Sequence, residues 1–192
     1  MPEKNQAALD FLLSRRSRPA KTLSTPVPPR EAVETILTAA ARTPDHGKLE
    51  PWRFIVLERD ALVRLGDLAG RLSAAAGRPE EQVAKDRNCY DNGHLAVAVV
   101  TVPRPSEKIP EIEQVYSAGA VCLALLNAAL AAGWGANWLS GWASHNRDFC
   151  TQGLGLGPDE KIAGLIFLGT ESAVPPDRPR PDLNRITQWV AS

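Results

Sequence analysis

The 192-residue sequence has no excess of either charge: Lys and Arg number 22, and Asp and Glu number 22. A chain without a basic surplus has no broad field to attract a phosphate backbone, so general nucleic-acid binding is not expected and any anion site must be local. Cysteine is scarce. Cys89, Cys122 and Cys150 are odd in number, widely spaced and free of any C-x-x-C pair. That argues against a disulfide framework or a cysteine zinc site and fits a reducing compartment. Histidine is limited to His46, His94 and His145, too few for a histidine-rich metal centre, and no metal is expected. No secretory hydrophobic segment is read at the N-terminus, where Glu3, Lys4 and Asp10 intervene. Ser14-Arg15-Arg16-Ser17 lacks the apolar run that a twin-arginine signal needs. The most apolar stretch, residues 118–134, is interrupted by Asn127 and falls short of a membrane span. The expectation is a soluble, cytoplasmic protein. Nucleotide P-loops, H-E-x-x-H and G-x-S-x-G are all missing. Gly153-Leu154-Gly155-Leu156-Gly157 looks like a dinucleotide loop, but it follows no strand and runs into Pro158-Asp159-Glu160, so it is set aside.

What is present is an irregular alternation of helices and strands. Residues 6–15 read as a short helix with Leu9, Leu12 and Leu13 on one face. A proline-rich loop spans 19–29. A second helix spans 30–42, carries the stripe Val33, Ile36, Leu37, Ala40, and is stopped by Pro44. Residues 54–57 read as a strand. A third helix, capped by Asp60, runs to Ala76 with Leu62, Leu65, Leu68 and Leu72 inward. Residues 80–89 read as an exposed helix, and 95–102 as a strand buried on both faces. Residues 111–132 form a long helix, hydrophobic almost all round, that belongs in a core or an interface and ends at Gly133 and Gly135. Ser144 is the expected cap of a short helix to Gln152, and 162–168 a last buried strand. Without regular βαβ units the class is α+β. We read one domain over 1–192, with 171–192 as a tail that packs over a surface, that of a partner subunit included.

Three segments could carry chemistry. Arg15, Arg16 and Ser17 make a compact anion clamp, because the planar guanidinium donates two hydrogen bonds to phosphate. On the triplet alone, a solvated helix end is the stronger reading. Arg42-Thr43-Pro44-Asp45-His46 sets Arg and His beside a rigid turn, and adjacent residues such as Asp45 and His46 point apart, which argues against a charge relay. Trp134-Gly135-Ala136-Asn137-Trp138-Leu139-Ser140-Gly141-Trp142 offers aromatic walls for a planar heterocycle, or simply a packed core turn.

Their order is more specific than any one of them. R-R-S at the first helix end, R-x-P-D-H-x-x-x-x-P-W, a long helix containing Ser117-Ala118-Gly119, W-x-S-G at 138–141, and Phe167-Leu168-Gly169-Thr170 follow one another. This series resembles the nitroreductase family, in particular its compact single-domain NAD(P)H-dependent, FMN-binding branch, over roughly residues 8–170. The resemblance implies an α+β fold with a mixed or antiparallel central sheet flanked by helices, built as an intertwined homodimer with FMN between subunits. It implies that Arg15, Arg16 and Ser17 hold the FMN phosphate and ribityl chain. Arg42 and His46 would reach the flavin bound mainly by the other subunit. Trp138, Leu139 and Ser140 would line the flavin, partly through backbone. Ala128, Ala129, Leu130, Ala131, Ala132 and Gly133 would meet the nicotinamide nucleotide. The implied reaction takes hydride from NAD(P)H and passes it to a small planar acceptor, such as a nitroaromatic or quinone, by a ping-pong scheme; flavin N5 carries the chemistry and no side chain is assigned as catalytic. Thr43, Leu139 and Glu50 depart from the family's usual alanine, arginine and neutral polar residue. The loss of arginine at Leu139 keeps open a non-catalytic FMN-binding protein. A flavin-cleaving or dehalogenating relative is a further alternative. A hydrolase using Asp45 and His46 lacks a nucleophile motif.

Overall fold

The computed structural model describes residues 3–191. Its centre is a five-stranded sheet in which every pairing is antiparallel. Strand β2 (Trp52–Glu58) pairs with β3 (Leu95–Thr101), and β3 with β5 (Lys161–Glu171). The far side of β5 is shared end to end by β4 (Gly135–Leu139) and the two-residue β1 (Leu23–Ser24).

Period-2 alternation along β3 sorts the core into two layers. Leu95, Val97 and Val99 face α2 (Arg30–Ala40) and α5 (Glu111–Ala131), meeting Ile36, Val121 and Leu125. Ala96, Ala98 and Val100 face α3 (Arg59–Ala75) and α7 (Arg147–Leu154), meeting Leu62, Leu65 and Phe149. Each fully buried side chain of this size contributes about 1.5–3 kcal/mol of transfer free energy. Helix α1 (Gln6–Ser14) stands apart from this core with no buried residue, and α4 (Glu80–Asp91) lies on α3 with Tyr90 as its buried anchor.

Several expected boundaries move. Strand β2 runs directly into α3, so the cap position is Glu58 and Asp60 sits in the first turn, where its carboxylate faces the helix dipole rather than capping it. Ser144 does not cap the next helix. It is buried inside the four-residue α6 (Trp142–His145), and Asn146 caps α7 by accepting from the Phe149 amide at 2.8 Å. Asn146 is extended (φ −86°, ψ 121°), which frees its side chain to reach forward. The tryptophan-rich segment is a strand, β4, rather than a turn, because β5 is longer than 162–168 and leaves an open edge from Leu165 to Gly169 that β4 fills. Gly133 (φ 84°) ends α5, and Gly135 already belongs to β4. The tail continues β5 through Glu171, then runs irregularly to a short turn of helix, α8 (Leu183–Ile186).

The set-aside glycine segment is structural. Gly155 (φ 65°) closes α7 in a left-handed cap, Leu156 enters the core, and Arg147 donates to the carbonyls of Leu156, Gly157, Pro158 and Glu160.

Candidate functional site

Helix α1 stops at Ser14 because Arg15 is extended (φ −56°, ψ 142°). The chain then docks beside β4. The Arg18 amide donates to the Ala136 carbonyl at 2.8 Å, and Asn137 Nδ2 donates to the Arg18 carbonyl at 2.7 Å. Arg18 also pairs with Glu171 at 2.7 Å, which uses the nearby carboxylate. Arg15 donates to Ser17 Oγ at 3.0 Å; Arg16 donates to the Ser17 carbonyl and to the Pro176 carbonyl of the tail, each at 3.3 Å.

Arg15 Nε is buried with no partner. Burial, then the charges of Arg180 and Arg16, pull the Arg15 guanidinium below the usual arginine range. Arg180 thus adds its charge at Arg15, while its own ion pair is with Asp177 at 3.2 Å. The return of the tail past Arg16, which donates to the Pro176 carbonyl, brings Arg180 to this end of the molecule.

A few residues further along, a cavity of about 700 Å³ opens between three elements. Lys21 comes from the 3-10 turn Ala20–Thr22, Lys85 and Asn88 from α4, and Leu139, Ser140 and Gly141 from the end of β4. Lys21, Lys85 and Asn88 carry no motif and were missed in the sequence. Ser140 Oγ lies 3.0 Å from His145 Nε2.

The joint aromatic wall expected of the tryptophans does not form, because strand alternation and the bends around β4 scatter the rings. Trp138 lies over Gly164 on the α5 side, where a Cβ at Gly164 would overlap the indole. Trp134 joins the α5 layer, and Trp142 joins the opposite layer with the Arg78 guanidinium 5.2 Å above its ring. Trp138 therefore borders this cavity only through the strand it shares with Leu139.

Arg42 and His46 sit on a strained, heavily tied turn. Gly47, Lys48 and Glu50 all have positive φ (74°, 55° and 48°). The Asp45 carboxylate accepts the Glu50 amide at 2.7 Å, so it serves the turn and not His46. His46 Nδ1 instead meets Glu113 Oε2 at 2.6 Å. Ser117 Oγ donates to the Pro44 carbonyl at 2.9 Å and accepts from Trp52 Nε1 at 3.1 Å.

This turn is anchored at Glu113 and Ser117, near the start of α5, whereas Arg18, two residues after Arg16, docks beyond its end at Ala136. From Ser117 to Ala131 the helix climbs about 20 Å at ~1.5 Å per residue. One chain therefore holds the arginine clamp and the Arg42/His46 turn apart. Ala128, Ala129, Leu130, Ala131, Ala132 and Gly133 occupy the clamp end of α5; Ala129 is buried, and Ala131, Ala132 and Gly133 are exposed.

The rest of the surface competes poorly. A cavity of about 800 Å³ between α3 and α4 is larger, but its Arg87 and Asp67 neutralise each other at 2.7 Å and none of the motifs reaches it. Burial pushes the Cys122 thiol up to about 12 and raises Cys89 and Cys150, so no thiolate nucleophile is available near neutral pH. Among the described residues no cluster suits a metal ion.

An antiparallel sheet clasped between α2/α5 and α3/α7, with Arg15, Arg16 and Ser17 just before the strand-end cavity segment at Lys21, defines an α+β protein. The sequence profile of the Nitroreductase family matches residues 12–170, and the chain belongs to that family. It is 35% identical over 163 residues to the Escherichia coli K12 protein named "Putative NAD(P)H nitroreductase YdjA", covering 85% of this chain and 87% of that one. Among solved structures, the nitroreductase-like family protein from Bacillus cereus superposes with a TM-score of 0.77 at 21% identity, over 99% of this chain and 98% of the other. The nitroreductase with bound FMN from Bacteroides fragilis superposes with a TM-score of 0.73 at 19% identity, over 97% and 100%.

Proposed function

We propose that this chain is an FMN-dependent oxidoreductase that takes hydride from NAD(P)H and gives it to a nitroaromatic, quinone or similar planar acceptor in alternating half-reactions. The observation that carries the reading is the pair Arg15 and Arg16 bonded to Ser17, with a buried unpartnered Arg15 Nε and the Arg180 charge felt at Arg15, a few residues before Lys21 at the cavity that Ser140 also lines. The donor set suits a phosphate monoester: the Arg15 and Arg16 guanidinium groups and the Ser17 hydroxyl, with Arg180, itself paired with Asp177, adding its charge at Arg15. The bound FMN of the Bacteroides fragilis structure and the NAD(P)H in the E. coli relative's name support the cofactor and the donor.

When bound, FMN supplies two-electron hydride exchange, which no side chain here can perform. The chain's own residues do the rest. Arg15, Arg16 and Ser17 would hold the phosphate and ribityl end, with the Arg180 charge beside them. Leu139, Ser140 and Gly141, with Lys21, Lys85 and Asn88, would line the space for the ring and supply hydrogen-bond donors to it. Residues 128–133 meet the nicotinamide nucleotide. Arg42 and His46 reach the ring held mainly by a second copy, which fits their separation from the clamp within one chain. The outward face of α5 supplies the surface for that copy: Ile112, Val115, Tyr116 and Leu123 are exposed, and so are Leu183, Ile186, Trp189 and Val190 in the tail.

The deciding experiment is the visible spectrum of the purified chain, before and after anaerobic NADPH and then NADH. A flavin spectrum that bleaches supports the oxidoreductase. A flavin spectrum that resists both donors points to a binding protein, in keeping with the neutral Leu139. Absence of flavin after incubation with FMN ends the reading.

A further inference from the structure

Reducing a quinone to a hydroquinone adds two electrons and two hydrogens. Hydride brings both electrons and one hydrogen; the other hydrogen arrives as a proton on the second oxygen and needs a donor at the cavity wall. The cavity wall contains Ser140, and Ser140 Oγ stands 3.0 Å from His145 Nε2. The contact is built by the chain between them. Gly141 is fully extended (φ −146°, ψ 179°), and α6 then turns back at once, with the Ser144 amide donating to the Gly141 carbonyl at 3.0 Å and the Asn146 amide to the Ala143 carbonyl at 3.1 Å. Residue 145 is thereby returned beside residue 140. Its ring is exposed, so it exchanges protons with water, and a hydroxyl can accept a proton on one side while donating its own on the other.

We propose that Ser140 and His145 form a proton relay from solvent to the acceptor in this cavity. The inference rests on the flavin reading above. The imidazolium gives its Nε2 proton to Ser140 Oγ, the hydroxyl proton passes to the acceptor oxygen that did not receive hydride, and the neutral imidazole left behind is reprotonated from water. Ser140 touches the substrate; His145 acts through it.

Other charged groups are placed differently. Lys21, Glu81, Lys85 and Asp86 line the cavity, and Asp86 is already bound by Ser73 and Arg78. On the adjoining α7, Arg147 is committed to four carbonyls and Asp148 lies in the first turn. Strand β5 carries Lys161 and Glu171 at its ends, the latter tied to Arg18.

The test has two readouts. The first is the rate at which pre-reduced, FMN-loaded protein reduces p-benzoquinone between about pH 5 and 9. In the parent and in Ser140→Thr this rate falls as pH rises. In His145→Gln and Ser140→Ala it is about a hundredfold lower at the acid end and flat with pH. The second readout is the ring-nitrogen NMR of the three histidines, in flavin-free and FMN-loaded protein. Ser140→Ala shifts His145 and leaves His46 and His94 in place, and FMN shifts His145 in the parent. A pH profile unchanged in His145→Gln, with FMN bound and reducible, overturns the relay alone and leaves a lysine or water as the donor. His145 signals indifferent to Ser140→Ala also overturn it. Failure of the parent to take up FMN overturns both the relay and the reading beneath it.

Discussion

Arg15 is held at a cost to the fold, which the proposed anion site would account for. Its guanidinium is partly desolvated, repelled by Arg16 and Arg180, and has one nitrogen with no partner. None of these favours the folded state without an anion. Arg15→Ala is therefore expected to leave the melting temperature of the flavin-free protein unchanged or raised. The same change removes a charge-assisted bond worth about 1.5–3 kcal/mol, which weakens FMN binding by about 10- to 100-fold. Thermal melts and FMN fluorescence titration read the two effects separately; a destabilised apo protein with intact affinity would make Arg15 a structural residue. Of the candidate residues, the Arg15–Arg16–Ser17 triplet and His46 were legible as a string because each sits at a helix end or turn with a local signature. Arg180, Lys21, Lys85 and Asn88 were not, because their role depends on which distant segments lie beside them.

At the scale of elements, the loop before β5 shows how an edge is secured. Glu160 accepts from Arg53 Nε and Nη2 at 2.7 and 2.8 Å and from the Gly157 amide at 2.9 Å, joining β2 to the start of β5 across the intervening β3. The Arg53 hydrogen bonds hold the Glu160 carboxyl down at about 2, below its ordinary 4.5. A depressed folded value means that the stabilisation is complete above about 4.5 and is lost as pH falls from there through about 2. Urea unfolding across that range should show the parent losing more stability than Glu160→Gln, with the two curves converging at the acid end; parallel curves would refute the assignment. The strand β4 was unreadable as a strand for a related reason. Its residues, Gly135, Ala136, Asn137, Trp138 and Leu139, have no apolar alternation, and it becomes a strand only because β5 presents an unpaired edge. Helices α2, α3 and α5, by contrast, were legible within a few residues from their own apolar stripes.

At the scale of the whole molecule, the shared site proposed above calls for a second copy of the chain. Helix α5 buries Ser117, Val121, Cys122 and Leu125 on the sheet, while its other side exposes Ile112, Val115 and Leu123, with Tyr116 67% accessible. On the proposed reading that outer face meets a second copy, which also brings the separated halves of the site together. Tyr116→Asp, on the outer face and outside both core layers, is expected to give folded monomers that have lost most of their FMN. Light scattering coupled to gel filtration, with helicity checked by circular dichroism, reads this. A parent that runs as a monomer while binding FMN would overturn the shared site.

By itself the sequence determined the α+β class, the long helix, the doubly buried β3 and the ordered motifs that mark the family. All of these rest on local periodicity, helix-end chemistry or fixed spacing, which a string carries without folding. Only the tertiary structure decided that three tryptophans in one segment go to three different places. The same is true of Glu113, rather than the adjacent Asp45, as the partner of His46, and of the Arg180 charge felt at Arg15. Each depends on which far-separated backbones the sheet and α5 bring within a few ångströms, and pairings of that kind have no period along the chain from which they could be read.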